Sequence, residues 1–185
     1  MSSSNKPHVS LDAVKQTKEV VSKQPELGNV TFTMKGTSAG GLAVVLHTGP
    51  LIQNGESDYS REGKFKLISD EPVALLGTDT GVSPAEYILQ GLGGCYTVTL
   101  ASLAAAKGID LDGIELELFF DINLNGFLGL DDSIRKGAQG IRIDVKLDSE
   151  KATRAQLEEL ISELPVNSPI HDTLANPVTI VPRLI

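Results

Sequence analysis

The sequence predicts one α+β domain in which a long, buried helix lies against antiparallel sheet. Three observations carry that expectation. Residues 84–107 form an almost charge-free run that opens with a strong helix-start signal. Residues 114–122 and 141–147 alternate apolar and polar side chains, the pattern of strands with one buried face and one wet face. The 185 residues are 41% hydrophobic and 22% charged, enough apolar material for one core and too little charge for a disordered chain.

Taken in order, residues 1–9 read as a loose polar terminus. Residues 10–23 read as a modest amphipathic helix with Leu11, Val14, Lys18 and Val21 at helical spacing, ended by Pro25 and Gly28. Val30, Phe32 and Met34 share one face of a strand, and Leu42, Val44 and Leu46 one face of the next. Gly36 to Gly41 supplies a glycine-rich turn between them. It is not a phosphate loop, because no Gly-Lys-Ser/Thr follows and the chain continues as strand. Residues 49–62 read as polar loop and residues 65–68 as a further strand.

Ser83, Pro84 and Glu86 then mark a helix start: a capping hydroxyl, a proline at the first helical position and a glutamate at the third. A helix from Pro84 to Lys107 is about 36 Å long, and Gly108 closes it. Ile114, Leu116, Leu118, Phe120 and Ile122 form the inner face of one strand, and Ile141, Ile143, Val145 and Leu147 that of its partner. Ser149 reads as the cap of a helix carrying Leu157, Leu160, Ile161 and Leu164, with Pro165 as its stop. Ser168 and Pro169 open a short helix, and residues 178–181 read as a last strand before Pro182.

A net charge of −8 argues against a nucleic-acid or anionic-membrane surface, either of which needs a clustered basic patch. Residues 87–106 are long enough to span a membrane, but Gln90, Gly91, Gly93 and Gly94 dilute them, and they read as a core helix instead. Residues 1–13 hold no apolar signal-peptide region. Cys95, the single cysteine, excludes an intrachain disulfide and suits a reducing, cytoplasmic setting. His8 and His47 have no ligand partner at useful spacing, so neither a metal nor another cofactor is expected.

Cys95 is the first candidate for chemistry. It lies mid-helix after Gly93 and Gly94, and each helix-interior glycine costs about 1 kcal/mol relative to alanine, so a neighbour or ligand is expected close to the backbone there. The alternative is an inert, buried thiol. Cys95 lies too far along its helix for the N-terminus to activate it. His171 and Asp172 could serve as base and orienter for a cysteine nucleophile, or could be first-turn helix residues behind a Ser168 cap. Glu86 is most simply half of a capping box.

The segment from Ser69 to Lys107, with Gly81-Val82-Ser83-Pro84-Ala85-Glu86 followed by Gly93-Gly94-Cys95, resembles the OsmC/Ohr family of osmotically inducible and organic hydroperoxide resistance proteins. Further matches are Gly126-Phe127-Leu128-Gly129, Asn167 to Leu174, and Asn176-Pro177-Val178. The resemblance covers about residues 28–185, leaving residues 1–27 as an N-terminal extension with a short helix. It implies an α+β fold in which two chains intertwine as a homodimer, a central helix buried on curved antiparallel sheets, and active sites at the dimer interface. Peroxidase members of the family reduce organic hydroperoxides with two cysteines: one thiolate attacks the peroxide and the second resolves the sulfenic acid as a disulfide. An Arg and a Glu assist the first thiol.

This chain departs from that pattern at two positions. Ser168 stands where the family's second cysteine precedes a proline, so the two-cysteine cycle is absent. Ala85 stands where the catalytic Glu follows the helix-opening proline; Glu86 comes one residue, about 100 degrees, later. Arg61 is the one Arg before Cys95 and hence the upstream candidate for the family's Arg. The expectation is a homodimer with Cys95 as its redox thiol, an external thiol reductant, and Glu86, Arg61, Ser168 and His171 as candidate site residues. The competing expectations are a non-catalytic binder of a small apolar molecule and a structural dimer.

Overall fold

In the computed structural model, residues 6–185 are described, so residues 1–5 of the expected loose terminus lie outside them. The described chain divides into two compact units, one of residues 12–87 and one of residues 6–11 with 88–185. The long central helix contributes its first residues to the former and the remainder to the latter. This grouping joins most of the N-terminal helix to the first sheet, across the expected boundary at residue 27.

The first unit holds α1 (Leu11–Lys23) and a sheet of β1 (Val30–Ser38), β2 (Val44–Gln53), β3 (Glu56–Asp58) and β4 (Lys66–Ser69). All pairings are antiparallel, with β2 bonded to the other three strands. The Gln53 amide donates to the Leu27 carbonyl at 2.7 Å, tying the turn after α1 to the end of β2. The region expected as loop from residue 49 is largely hairpin. Asn54 and Gly55, both at positive φ (49° and 82°), form a two-residue turn that matches strand twist and pairs Gln53 with Glu56. The β1–β2 turn is likewise shorter than expected: strand continues through Ser38, and Gly40 and Gly41 take the positive φ values. Val30, Phe32 and Met34 are exposed, with Phe32 at 78%, so this apolar row is left uncovered among the described residues.

Asp70 follows β4 and is 2% exposed. Its carboxylate accepts from the backbone N–H groups of Glu71, Thr78 and Thr80 and from both threonine hydroxyls, at 2.7 to 3.1 Å. These bonds lock the segment 71–80 around one anion and hold its carboxyl well below the usual range, the Thr78 hydroxyl contributing most.

The second unit is built on α2 (Pro84–Ala106), the hairpin of β5 (Gly113–Asp121) and β6 (Gly140–Asp148), and helices α3 (Leu124–Phe127), α4 (Arg154–Ser162), α5 (Leu164–Asn167) and α6 (Pro169–Ala175). The β5–β6 register pairs Ile114 with Leu147, Leu116 with Val145, Leu118 with Ile143 and Phe120 with Ile141, so the two alternating rows coincide on one face. That face packs against Leu92, Tyr96, Leu100 and Ala104 of α2, together with Leu111, Leu160 and Leu164. Those four α2 residues recur every four positions and form one stripe.

Three expectations need correction here. Thr153, not Ser149, caps α4, in a capping box with Gln156; Ser149 instead accepts from the N–H groups of Lys151 and Ala152 and donates to the Asp110 carbonyl. Pro165 does not end helical structure: it sits in the first turn of α5, where its missing N–H costs nothing. Residues 178–181 form no strand: they pair with no other strand among the described residues, and Val178, Ile180 and Val181 are exposed.

Two outcomes follow. Leu100 is fully buried, and Leu100→Ala should cost about 2–5 kcal/mol in urea unfolding. For Asp70, a depressed folded-state value means stability that is present above its ordinary 3.8 and lost as pH falls below it. The urea midpoint of the wild type should therefore exceed that of Asp70→Asn most above about pH 5, and the gap should shrink below about pH 4. A gap independent of pH would refute this account.

Candidate functional site

Helix α2 carries Cys95 at its middle, and the turn between α5 and α6 carries Ser168. The Ser168 hydroxyl lies 3.2 Å from Cys95 Sγ and donates to it. The same oxygen accepts the His171 N–H at 3.3 Å, capping α6 as its spacing predicts. Ser168 is 2% exposed, whereas Cys95 is half-buried. A hydroxyl hydrogen aimed at sulfur is a contact that a thiolate accepts better than a thiol.

Tyr96, beside Cys95, turns into the core and is 5% exposed. Its hydroxyl lies 2.6 Å from His171 Nδ1, and the two rings run nearly parallel with centroids 6.0 Å apart. Burial pushes the Tyr96 phenol above its ordinary value, and the neighbouring Cys95 sulfur adds to the effect. His171 also forms part of the wall of a cavity of about 450 Å³, large enough for a small organic molecule. Ile88, Leu92, Phe120, Ile141, Ile143 and Leu174 give it an apolar lining, and Arg135 and Gln139 stand at its polar side.

Gly126 explains how Arg135 arrives there. A Cβ at this position would lie 2.6 Å from the Arg135 carbonyl oxygen, so glycine lets the 134–135 backbone pass directly over α3. The sequence offered no sign of Arg135 or of the cavity, because the lining comes from α2, both strands of the hairpin, the loop before β6 and α6. Tyr96 was adjacent to the candidate cysteine, but its pairing with a residue 75 positions later has no local signal.

Of the expected site residues, Cys95, Ser168 and His171 come together. Glu86 and Arg61 belong to the other unit and are engaged there. Glu86 accepts from the Ser83 N–H at 2.8 Å while the Ser83 hydroxyl accepts from the Glu86 N–H at 3.2 Å, a reciprocal capping box. Arg61 lies over the Phe65 ring, 5.3 Å from its centroid. Asp172, an alternative orienter for His171, instead accepts from the Asn176 side chain at 2.8 Å.

The chain itself supplies no close neighbour at the helix glycines. A Cβ on Gly91 or Gly94 would meet nothing within 4 Å, and one on Gly93 would make ordinary contact with Leu116 and Leu118 at 3.6 Å. Within the chain, Gly91, Gly94 and the 66% exposed Val98 lie on an uncovered face of α2. By length and composition α2 could cross a membrane, yet its opposite stripe is the centre of a packed core. Among the described residues no cluster of three His, Cys, Asp or Glu side chains could hold a metal.

A family model described as OsmC-like protein matches residues 77–183. Among solved structures, an OsmC-like protein from Mycoplasma pneumoniae superposes with a TM-score of 0.59 at 19% identity, covering 78% of this chain and 87% of its own. An organic hydroperoxide resistance protein OsmC from Legionella pneumophila gives 0.55 at 14% identity, over 78% and 88%. An OsmC-like protein of unknown function from Vibrio cholerae gives 0.53 at 14%, over 78% and 92%. These likenesses establish the fold. No curated protein sequence matches the chain.

Because one hydroxyl both caps α6 and meets the sulfur, Ser168→Ala should lose about 1 kcal/mol of stability in urea unfolding. Ser168→Thr, which keeps the oxygen, should recover at least half of it.

Proposed function

The chain belongs to the OsmC-like family, and on that premise we propose that Cys95 is a one-thiol reductant of organic hydroperoxides, resolved by a thiol from outside the chain. The carrying observation is the 3.2 Å contact between Cys95 Sγ and Ser168 Oγ. Oxygen occupies the place of the family's resolving sulfur, within reach of the attacking atom.

In this reading the Cys95 thiolate attacks one peroxide oxygen, the O–O bond breaks, and the departing alkoxide takes a proton to leave as alcohol. Cys95 becomes a sulfenic acid. The Ser168 hydroxyl hydrogen-bonds the sulfur but cannot form a disulfide with it. A small external thiol condenses with the sulfenic acid, releasing water and leaving a mixed disulfide; a second thiol displaces Cys95 and restores it. Such a cycle needs a reducing compartment, and we assign the protein to the cytoplasm on that ground.

We also propose a homodimer. The α2 face at Gly91, Gly94 and Val98 and the exposed Val178, Ile180 and Val181 are apolar surface that a second copy of the chain would bury. One observation favours a second reading: Cys95 is not among the residues lining the cavity. In that reading the cavity binds a small apolar molecule and the thiol takes no part.

Ser168→Cys tests the geometry. One equivalent of cumene hydroperoxide should convert its two thiols into one intrasubunit disulfide, seen by intact mass and thiol titration. Wild-type protein should consume about one equivalent of cumene hydroperoxide by itself and many equivalents only with added thiol, and Cys95→Ser should consume none. Equal consumption by wild type and Cys95→Ser would leave the second reading. In light scattering the wild type should have twice the chain mass, and Val98→Asp should shift it toward one.

A further inference from the structure

The Tyr96–His171 pair is not needed by the redox cycle above, yet it is among the most enclosed polar contacts in its unit. Among the described residues, His171 Nδ1 is the one hydrogen-bond partner of the Tyr96 hydroxyl, and the side chain around that hydroxyl is 5% exposed. A buried hydroxyl must place its hydrogen on an acceptor or lose about 1–3 kcal/mol. If Nδ1 carried the ring proton, it would point at the phenol oxygen, and the phenol hydrogen would have no acceptor. Tyr96 is therefore the donor and Nδ1 the acceptor, which puts the proton of a neutral imidazole on Nε2. Burial, which keeps the phenol protonated, works in the same direction.

His171 also forms part of the cavity wall. With Nδ1 committed to Tyr96, Nε2–H is the polar group its ring can offer an occupant. Arg135, on the same wall, is a donor without acceptor capacity, and among the described residues it pairs with no carboxylate. Gln139 spends its amide N–H groups on the Arg135 and Gly137 carbonyls and brings one amide oxygen to this wall, while Ile88, Leu92 and Ile143 offer no polar group.

We infer that Tyr96 is a positioning residue that fixes His171 as an Nε2–H donor, and that the cavity takes an apolar molecule carrying an exposed oxygen acceptor. This goes beyond the redox reading and rests on the cavity alone: it needs no chemistry at Cys95. A hydroperoxide fits the class, as do a ketone and an ester; a plain hydrocarbon does not.

The experiment is nitrogen NMR of histidine-labelled protein. The chain has three histidines, so the spectrum is simple to assign with a His171→Gln control. Long-range proton–nitrogen correlations at neutral pH should show His171 as the Nε2–H tautomer in the wild type. In Tyr96→Phe the ring should relax toward a tautomer mixture. Titration with acetophenone, an apolar body with one carbonyl acceptor, should move the His171 ring resonances and leave His8 and His47 in place. Its affinity should fall roughly two- to tenfold in Tyr96→Phe, the loss expected of one neutral hydrogen bond. An Nδ1–H tautomer or a charged ring in the wild type would overturn the positioning role, and needs no variant to be seen. Acetophenone that leaves His171 unmoved, or that binds wild type and Tyr96→Phe alike, would overturn the ligand class. Both results can be read in Cys95→Ser, so failure here and failure of the redox reading remain separate.

Discussion

The second unit depends on one stripe of helix α2. Leu92, Tyr96, Leu100 and Ala104 face the paired apolar rows of β5 and β6, and α4 and α5 close over them with Leu160 and Leu164. Every functional placement derives from that burial. Cys95 is one residue off the stripe, so it stands at the edge of the core and is neither sealed in nor fully exposed. Tyr96 is on the stripe, so its ring goes inward and its hydroxyl must find a partner there. Leu164 anchors the start of α5, and the short run from it delivers Ser168 to the sulfur. The site is thus a by-product of core packing, one helical step out from the packed face.

Much of this architecture was legible in the sequence because it rests on short-range rules. The β5 and β6 rows alternate with period two, and their register follows from matching the rows. The Ser83–Glu86 box and the Ser168–Pro169 start are local capping chemistry, and both form as the spacing predicts. The Asn54-Gly55 turn obeys an equally local rule and was also readable, but polar residues 49–62 obscured the end of β2 and the short β3 beside it. The α4 cap was displaced by four residues because Ser149 and Thr153 are both competent, and Gln156 decides between them by closing the box on Thr153.

What stayed hidden depends on contacts between distant segments. The cavity is lined from four separate stretches, and nothing in any one of them marks it. Arg135 is placed by Gly126, whose missing side chain lets one loop cross another; a lone glycine gives no hint of what passes over it. Residues 178–181 have a strand's composition yet pair with none of the open strand edges, and pairing is a matter of distant segments that composition cannot report. The helix glycines taught the opposite lesson. Their cost implied a close neighbour, and within the chain Gly91 and Gly94 have none, so their reason lies on a surface the single chain leaves open.

The exchange of sulfur for oxygen at residue 168 shows how one atom alters a site without disturbing its frame. A serine hydroxyl does two of the things asked of that position: it caps α6, and it lies in contact with the Cys95 sulfur. It even does the first better than a thiol, since oxygen is the stronger acceptor at an N-cap. What it cannot do is form a bond to an oxidised sulfur. Proximity of a second thiol makes resolution intramolecular and fast; without it, the lifetime of an oxidised Cys95 is governed by whether a thiol can diffuse to a half-buried sulfur. The chemistry thereby moves from geometry, which the fold controls, to access and concentration, which the compartment controls. Under the proposed one-thiol cycle, such a chain would answer to the thiol pool around it in a way that a two-cysteine site does not, with Ser168 held against the sulfur by the start of α6.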